Sequence, residues 1–470
     1  MDYDKSVAQT ETDFTNSIIP GLCKYVEIDN LSPEYDPEWK TNGKLEKAAN
    51  HLIEWAKNQG VKGLTAEMVQ EKDRTPLVFI QVEPSSPDVK TNILLYGHFD
   101  KQPHMLPWNE GLDPLKPKMI GDYLYGRGAS DDGYCTFTIV EAIKLIQLQG
   151  QKHGKINVTI EGCEESGSVD LMYYLEKLND RIGEIDMMVC MDSTCIDYNS
   201  LWITTSLRGV VTVDLTVECL QESCHSGTGS GIAPDSFTII RELLDRVQDS
   251  KTHKVIDDLT VEIPSYRVDD AKKLAELIKE KVVSDKVKLS EGVKPLSDDM
   301  CEVILNNTWR PTIVVVGMTG FPKAEIAGNV LRDKTTCRIS LRLPPTFDGV
   351  KAGEIMKQKL TENPPYNSKI TVRIGEYGNG FASGDLSEKL KVSFNKSSQK
   401  LFGKDYYCFG EGGSIPFMNS IQKKYPKCDL LVTGVLGPLS NAHCPNECLN
   451  VPYTKKITVA LAHAICDYCS

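Results

Sequence analysis

Apolar residues recur at helical spacing over 5–28 and 44–59, and the second stretch stops at Gly60, a common helix terminator. Two short apolar runs follow, "LVFIQV" at 77–82 and "NILLYG" at 92–97, both of strand length. The segment "DDGYCTFTIVEAIKLIQLQG" opens with acids and closes on Gly150, the charge and capping order of a helix. Residues 155–160 then alternate apolar and polar, which predicts a strand with one face inward that ends at Glu161. A helix near 168–178 and a strand "DMMVCM" at 186–191 come next. Strands alternating with helices of this length predict an α/β layer around a mostly parallel sheet.

From Gly209 the rhythm changes. "VVTVDLTVE" alternates strictly, a helix "DSFTIIRELLDRVQ" follows, and after an irregular, charge-rich stretch come the strand-like "TIVVVG" and "TTCRISLRL". Strands with one exposed face and helices on the other predict a small α+β domain inserted into the first. Helical spacing returns from about Asp385, then a strand "DLLVTGV" and a closing helix near 454–467. The expected organisation is a first catalytic segment at 1–208, an inserted lid and dimerisation domain at 209–383, and the returning catalytic segment at 384–470.

At 470 residues the chain exceeds a single hydrophobic core, in keeping with that division. A net charge of −12 with no basic cluster argues against a nucleic-acid partner, because phosphate binding needs concentrated Lys and Arg. The opening "MDYDKSVAQTETDF" has acids where a secretory or mitochondrial leader would be basic, and no apolar run approaches the ~18 residues of a membrane span. The 15 cysteines are scattered through strands and helices, the pattern of reduced thiols, so a cytoplasmic protein is expected.

In an α/β sheet ligands bind beyond the carboxyl ends of the strands. Here those places hold His98 and Asp100, Asp131 and Asp132, Glu164 and Glu165, Asp192, and His443. Each has a plain alternative, such as a hydrogen-bonded loop histidine or an acid that caps a helix. Five independent strand ends bearing such residues at one sheet edge are explained better by a metal. Two imidazoles and three carboxylates, two divalent ions and a bridging hydroxide sum to a neutral cluster. Imidazole with carboxylate suits Zn²⁺ or Mn²⁺, and a further carboxylate could take a proton from water that the metals acidify.

"YGHFDKQP", "GRGASDDG", "EGCEESGS", "CMDSTC" and "GPLSNAHCPNE" resemble the ordered motifs of the co-catalytic two-metal metallopeptidases that include cytosolic nonspecific dipeptidase, carnosinase and glutamate carboxypeptidase. "TTSLRG", "CHSGTGSGIAPDSF", "AGNVLRDKTTCRISLRLPP" and "GEGGSIP" extend the resemblance over nearly the whole chain. It implies that His98, Asp131 and Asp192 hold one metal and Asp131, Glu165 and His443 the other. Glu164 is implied as the general base and Asp100 as the residue that orients His98. Arg342, with the backbone donors of Gly412, Gly413 and Ser414, is implied to clamp a substrate carboxylate, and Asn329 and Glu411 to contact substrate. His225 on the inserted domain is implied to reach the site of a second subunit and stabilise the oxyanion, which makes a homodimer part of the expectation.

By the same resemblance, in which the corresponding carboxylate tends to be Asp in dipeptidases, Asp192 favours a dipeptidase, in which a metal-bridged hydroxide attacks the peptide carbonyl of a small peptide substrate. The enzymatic alternative is an N-acyl amino acid deacylase or carboxypeptidase of the same family, and the non-enzymatic one a scaffold subunit that retains the fold.

Overall fold

Four parallel strands form the centre of the larger sheet: Lys155–Glu161, Asn92–His98, Met187–Cys190 and Asp429–Val432, adjacent in that order. Leu77–Val82 pairs antiparallel with Lys155–Glu161, and Leu64–Val69 closes that edge; Trp202–Leu207 joins the other edge antiparallel through Thr204. The computed structural model describes residues 1–279, 281, 287, 289–413 and 416–470. Two units emerge, one of Met1–Thr205, Ser383–Phe409 and Ser420–Ser470, the other of Ser206–Ala382 and Gly410–Asn419. Residues 410–419 thus fall with the second unit, although the sequence pattern assigns them to the returning catalytic segment. The reason is local: Gly410 packs against Ser206 and Thr308, and the Gly412 carbonyl accepts a bond from Arg208.

In the first unit the helix Tyr134–Leu148 is buried on almost every side, as expected of a helix apolar all round. It packs against Val451–Cys469, which also contacts Tyr3–Asp13 and Glu388–Phe402. Lys155–Glu161 departs from the expected one-faced strand, because every residue after Lys155 is buried. The polar Asn157 is accommodated by bonds from Gln81 (2.9 Å) and to Asn92 (2.8 Å), so its apparent polarity does not mark a solvent face.

The second unit is built on an antiparallel sheet in the order Thr312–Thr319, Lys334–Leu343, Gly209–Glu218, Lys369–Gly378. One face packs on helices Ser236–Asp245 and Gly349–Thr361 through Val211, Val213, Leu215, Ile339 and Leu341; the other face is open. The stretch read as irregular contains helices Ser265–Ile278 and Met300–Thr308. Strand Lys369–Gly378 and helix Gly349–Thr361 are additions to the predicted elements. Among the described residues no helix is long and apolar enough to cross a membrane, and all fifteen cysteines are free thiols.

Candidate metal centre

Three of the parallel strands deliver acids or imidazoles to one edge: His98 ends its strand, Asp192 lies two residues beyond Cys190, and Glu164 and Glu165 form a single turn after Glu161. Asp131 sits in the loop before helix Tyr134–Leu148. The plain alternative, that Asp131 and Asp132 serve only to cap that helix, is not what the structure shows, since its N-cap is Gly133 and no side chain makes a cap hydrogen bond there. Gly97 explains the close approach of strand and helix start, because a Cβ there would stand 2.3 Å from Cys135 Sγ and 2.6 Å from Asp132 Oδ2.

The five expected ligands converge. His98 Nε2 lies 3.2 Å from Asp131 Oδ1 and 3.8 Å from Asp192 Oδ2. His443 Nε2 lies 3.0 Å from Asp131 Oδ2 and 3.3 Å from Glu165 Oε2. The two oxygens of Asp131 therefore face different imidazoles. His98 Nδ1 lies 3.1 Å from the Asp100 carbonyl; a proton donated there leaves the Nε2 lone pair toward the carboxylates, the tautomer a metal requires. His443 comes from a loop in which Leu439, Asn441, His443 and Asn446 all have positive φ, a backbone state costly for a histidine and characteristic of functional sites.

Asp100 has a second task. Its Oδ1 and Oδ2 accept the backbone N–H groups of Glu164 and Glu165, each at 3.0 Å, so one carboxylate fixes the turn that carries both acids. Glu164 is half-buried as a residue, and its carboxyl makes no hydrogen bond among the described residues. Burial and the negative charge of Asp192 push its pKa well above the ordinary range. Burial likewise raises Asp192 to about 7, whereas hydrogen bonds to Asp131 and Glu165 raise His443 to about 11.

These residues fit metal ions. Glu165 Oε1 is buried without a hydrogen-bond partner, an arrangement that costs free energy unless a cation or donor meets it. Ligand atoms of His98, Asp131 and Glu165, and of His98, Asp132 and Asp192, lie within 4.8 Å of one another. Asp132 is differently placed from the expected ligands: its Oδ2 accepts the His98 backbone N–H at 3.2 Å, and burial raises its pKa well above the usual carboxylate range.

Two residues without an assigned role in the sequence reading complete the site. Gln102 Nε2 donates to Glu165 Oε2 at 2.6 Å. Glu447, fully buried, accepts from Arg127 Nη1 (2.7 Å), the Gly128 and Ser130 amides (3.1 and 3.0 Å), Ser130 Oγ (3.1 Å) and the Asp131 amide (3.1 Å). Both stand inside quoted motifs, "YGHFDKQP" and "GPLSNAHCPNE", but only the tertiary structure reveals what they bind. Glu161 also gains an account: Tyr96 OH (2.6 Å) and Ser168 Oγ (2.8 Å) donate to it.

The remaining candidates lie in the second unit. His225 is exposed, its Nδ1 accepting the Gly227 amide at 3.1 Å, and it sits on a two-residue ribbon beside Asn329, whose carbonyl accepts the Ser226 amide at 2.9 Å. Arg342 is on the open face of the sheet, and the Glu411 carbonyl accepts the Arg208 amide at 3.3 Å. Gly412 and Gly413 follow Glu411, and Ser414 lies outside the described residues.

A parallel-centred α/β sheet whose carboxyl edge gathers two imidazoles and three carboxylates into overlapping ligand sets defines a metallohydrolase. The chain belongs to peptidase family M20/M25/M40, whose family model matches residues 94–467, and is accordingly a peptide-bond hydrolase. It is similar to a cysteinylglycine-S-conjugate dipeptidase of Corynebacterium striatum, 26% identical over 479 residues and covering 100% of both chains. Among solved structures it is similar to the di-peptidase Dug1p of Saccharomyces cerevisiae, with a TM-score of 0.73 at 21% identity over 100% of this chain and 99% of that one. A Bacillus subtilis protein described as a dinuclear metal-binding peptidase shares the fold at a TM-score of 0.55, with 11% identity over 97% of this chain and 98% of that one.

Proposed function

We propose that the chain hydrolyses dipeptides, with His98, Asp131 and Asp192 holding one divalent ion, Zn²⁺ or Mn²⁺, and Asp131, Glu165 and His443 the other. The observation that carries this is the division of Asp131, Oδ1 toward His98 at 3.2 Å and Oδ2 toward His443 at 3.0 Å. Ions held there acidify water and polarise a carbonyl. The relatives named above as dipeptidases support the substrate class.

The chain's own residues perform the remaining work. Glu164, unpartnered and high in pKa, accepts the proton of the attacking water and returns it to the leaving amine. Asp100 keeps that carboxyl in place through the two backbone bonds and holds His98 in its tautomer. Arg342, Asn329, Glu411 and the amides of Gly412, Gly413 and Ser414 bind the substrate. His225 of a second copy steadies the oxyanion, its Nε2 free to donate because Nδ1 already accepts from Gly227. A homodimer is supported by the sheet edge Thr312–Thr319, where Val314 and Val316 are 57% and 58% exposed. Fifteen free thiols support a cytoplasmic setting.

Glu164→Gln tests the assignment. The variant is expected to bind metal at wild-type stoichiometry and to lose roughly 10²- to 10⁴-fold in kcat on dipeptides; retained turnover removes Glu164 from the mechanism. A panel of dipeptides against N-acyl amino acids tests the substrate class, with preference for the acyl compounds as the contrary result.

A further inference from the structure

Past the end of strand Asn92–His98, alternate side chains serve different neighbours. Those of His98, Asp100 and Gln102 meet the expected ligands or the turn that carries Glu164 and Glu165. Lys101, fully buried between them, instead enters the core against helix Ile19–Val26. Its Nζ donates to the carbonyls of Tyr25 (3.2 Å), Val26 (3.0 Å) and Ile28 (2.7 Å) and lies 4.4 Å from the centre of the Tyr25 ring. Three N–H donors thus meet three carbonyls at a helix C-terminus, where intrahelical donors run out and a cation is favoured.

The arrangement is costly. Lys101 forms no salt bridge among the described residues, and burial lowers its pKa to about 7. An apolar side chain would fill the same space without that cost, so the ammonium is retained for what it joins.

Segment 25–34 is bonded to the loop on both sides of Asp100. Tyr25 OH (2.7 Å) and Asn30 Nδ2 donate to the Phe99 carbonyl, the Lys101 amide donates to the Asn30 carbonyl (3.1 Å), and the Lys101 carbonyl accepts the Ser32 amide (2.9 Å). The same segment reaches the acidic turn, where Ser166 Oγ meets Ser32 Oγ at 2.5 Å and accepts the Glu34 amide at 2.9 Å. The lysine stem also lies against Gly128, φ +80°, in the loop that carries Asp131; a Cβ there would stand 2.6 Å from Lys101 Cε. All of these residues belong to the first unit.

We propose that Lys101 is a positioning residue: its ammonium clamps segment 25–34 to loop 99–102, and the clamp holds Asp100 and Gln102 where they set Glu164 and Glu165. This rests on the roles proposed above for those two acids. Without the charge, the helix end and the loop lose their shared anchor, and the acids lose registration in a chain that still folds.

Lys101→Met keeps the stem and removes the ammonium. In the Zn²⁺-loaded enzyme it is expected to lower kcat on glycylglycine about 10- to 100-fold with KM within about 2-fold. Calorimetric titration of the metal-free protein with Zn²⁺ should show at least one site weakened about 10-fold or more. Leu22→Ala, which opens a cavity in the same helix and lowers the melting temperature, is the control and should leave kcat and Zn²⁺ affinity near wild type. Tyr25→Phe deletes only the hydroxyl bond to Phe99; it should lower kcat about 3-fold and decides the question where Lys101→Met does not fold, an unchanged kcat then overturning the clamp. Wild-type kcat and Zn²⁺ affinity in Lys101→Met, a loss confined to KM, or equal losses in Leu22→Ala overturn it as well. Weakened Zn²⁺ binding in Lys101→Met, beside a wild type that cuts no dipeptide, supports the clamp and overturns the dipeptidase reading instead.

Discussion

Glu447 and Glu164 are two carboxylates near one centre with opposite demands. Glu164, the proposed base, makes no hydrogen bond among the described residues, while Glu447 is surrounded by five donors. Glu447→Gln turns one acceptor oxygen into a donor that faces other donors and leaves Arg127, 1% exposed, without its counter-charge. The expected cost is about 3–5 kcal/mol of stability, because a buried pair is broken from one side, together with a loss of bound metal as the Asp131 amide loses its anchor. Thermal unfolding and metal analysis check this; an unchanged melting temperature would show that Glu447 is dispensable. Such a role was not legible from sequence. The positions of His98, Asp131, Glu164, Glu165, Asp192 and His443 follow from strand ends and motif resemblance, but Glu447 contributes through backbone amides more than three hundred residues away, which no local pattern records.

Among the elements, the helices that wrap the parallel sheet meet through polar as well as apolar contacts. His463 of helix Val451–Cys469 stacks on Tyr3 of helix Tyr3–Asp13, ring centroids 3.6 Å apart, and its Nε2 meets Ser6 Oγ at 3.2 Å. Burial, assisted by the nearby N-terminal amine, lowers its pKa to about 4. An unfolded imidazole takes its proton near 6.5. Between those values the unfolded chain binds more protons, so the contribution is complete above pH 6.5 and falls as pH drops toward 4, by up to about 3 kcal/mol. Melting curves at pH 7 and 4.5 should therefore show a smaller acid-induced loss for His463→Gln than for the wild type; an identical loss would exclude His463 as its source. Element type was readable where one physical signal dominated, as in Leu77–Val82 or Tyr134–Leu148. It was not readable in Ser265–Ile278, whose run of charged residues obscured the buried Ala271, Leu274 and Ile278. Nor did alternation identify Lys155–Glu161 as a strand covered on both faces, because a buried Asn satisfied by side chains looks the same in sequence as one facing water.

For the molecule as a whole, the proposed dimer and the proposed chemistry are one prediction. The edge Thr312–Thr319 exposes valines that a lone sheet would ordinarily guard with charge. Val314→Lys with Val316→Lys should shift the sedimenting mass to that of a monomer and remove most turnover, since His225 would then lack a second site to serve. Mixing His225→Ala with Glu164→Gln offers a stricter check: hybrid dimers should regain activity that neither variant has alone, and no recovery would dissociate His225 from a neighbouring centre.

The bonds from Glu447 to residues 128–131 also set an order on biosynthesis. Asp131 and the residue that seats its amide are separated by 316 positions, and His443 lies only four residues before Glu447. A growing chain can form its first strands early, but it cannot close the proposed ligand set until residue 447 has been made and folded back. With that ligand set, the nascent protein would be unable to cut peptide bonds throughout most of its own synthesis, a safeguard that comes from topology alone.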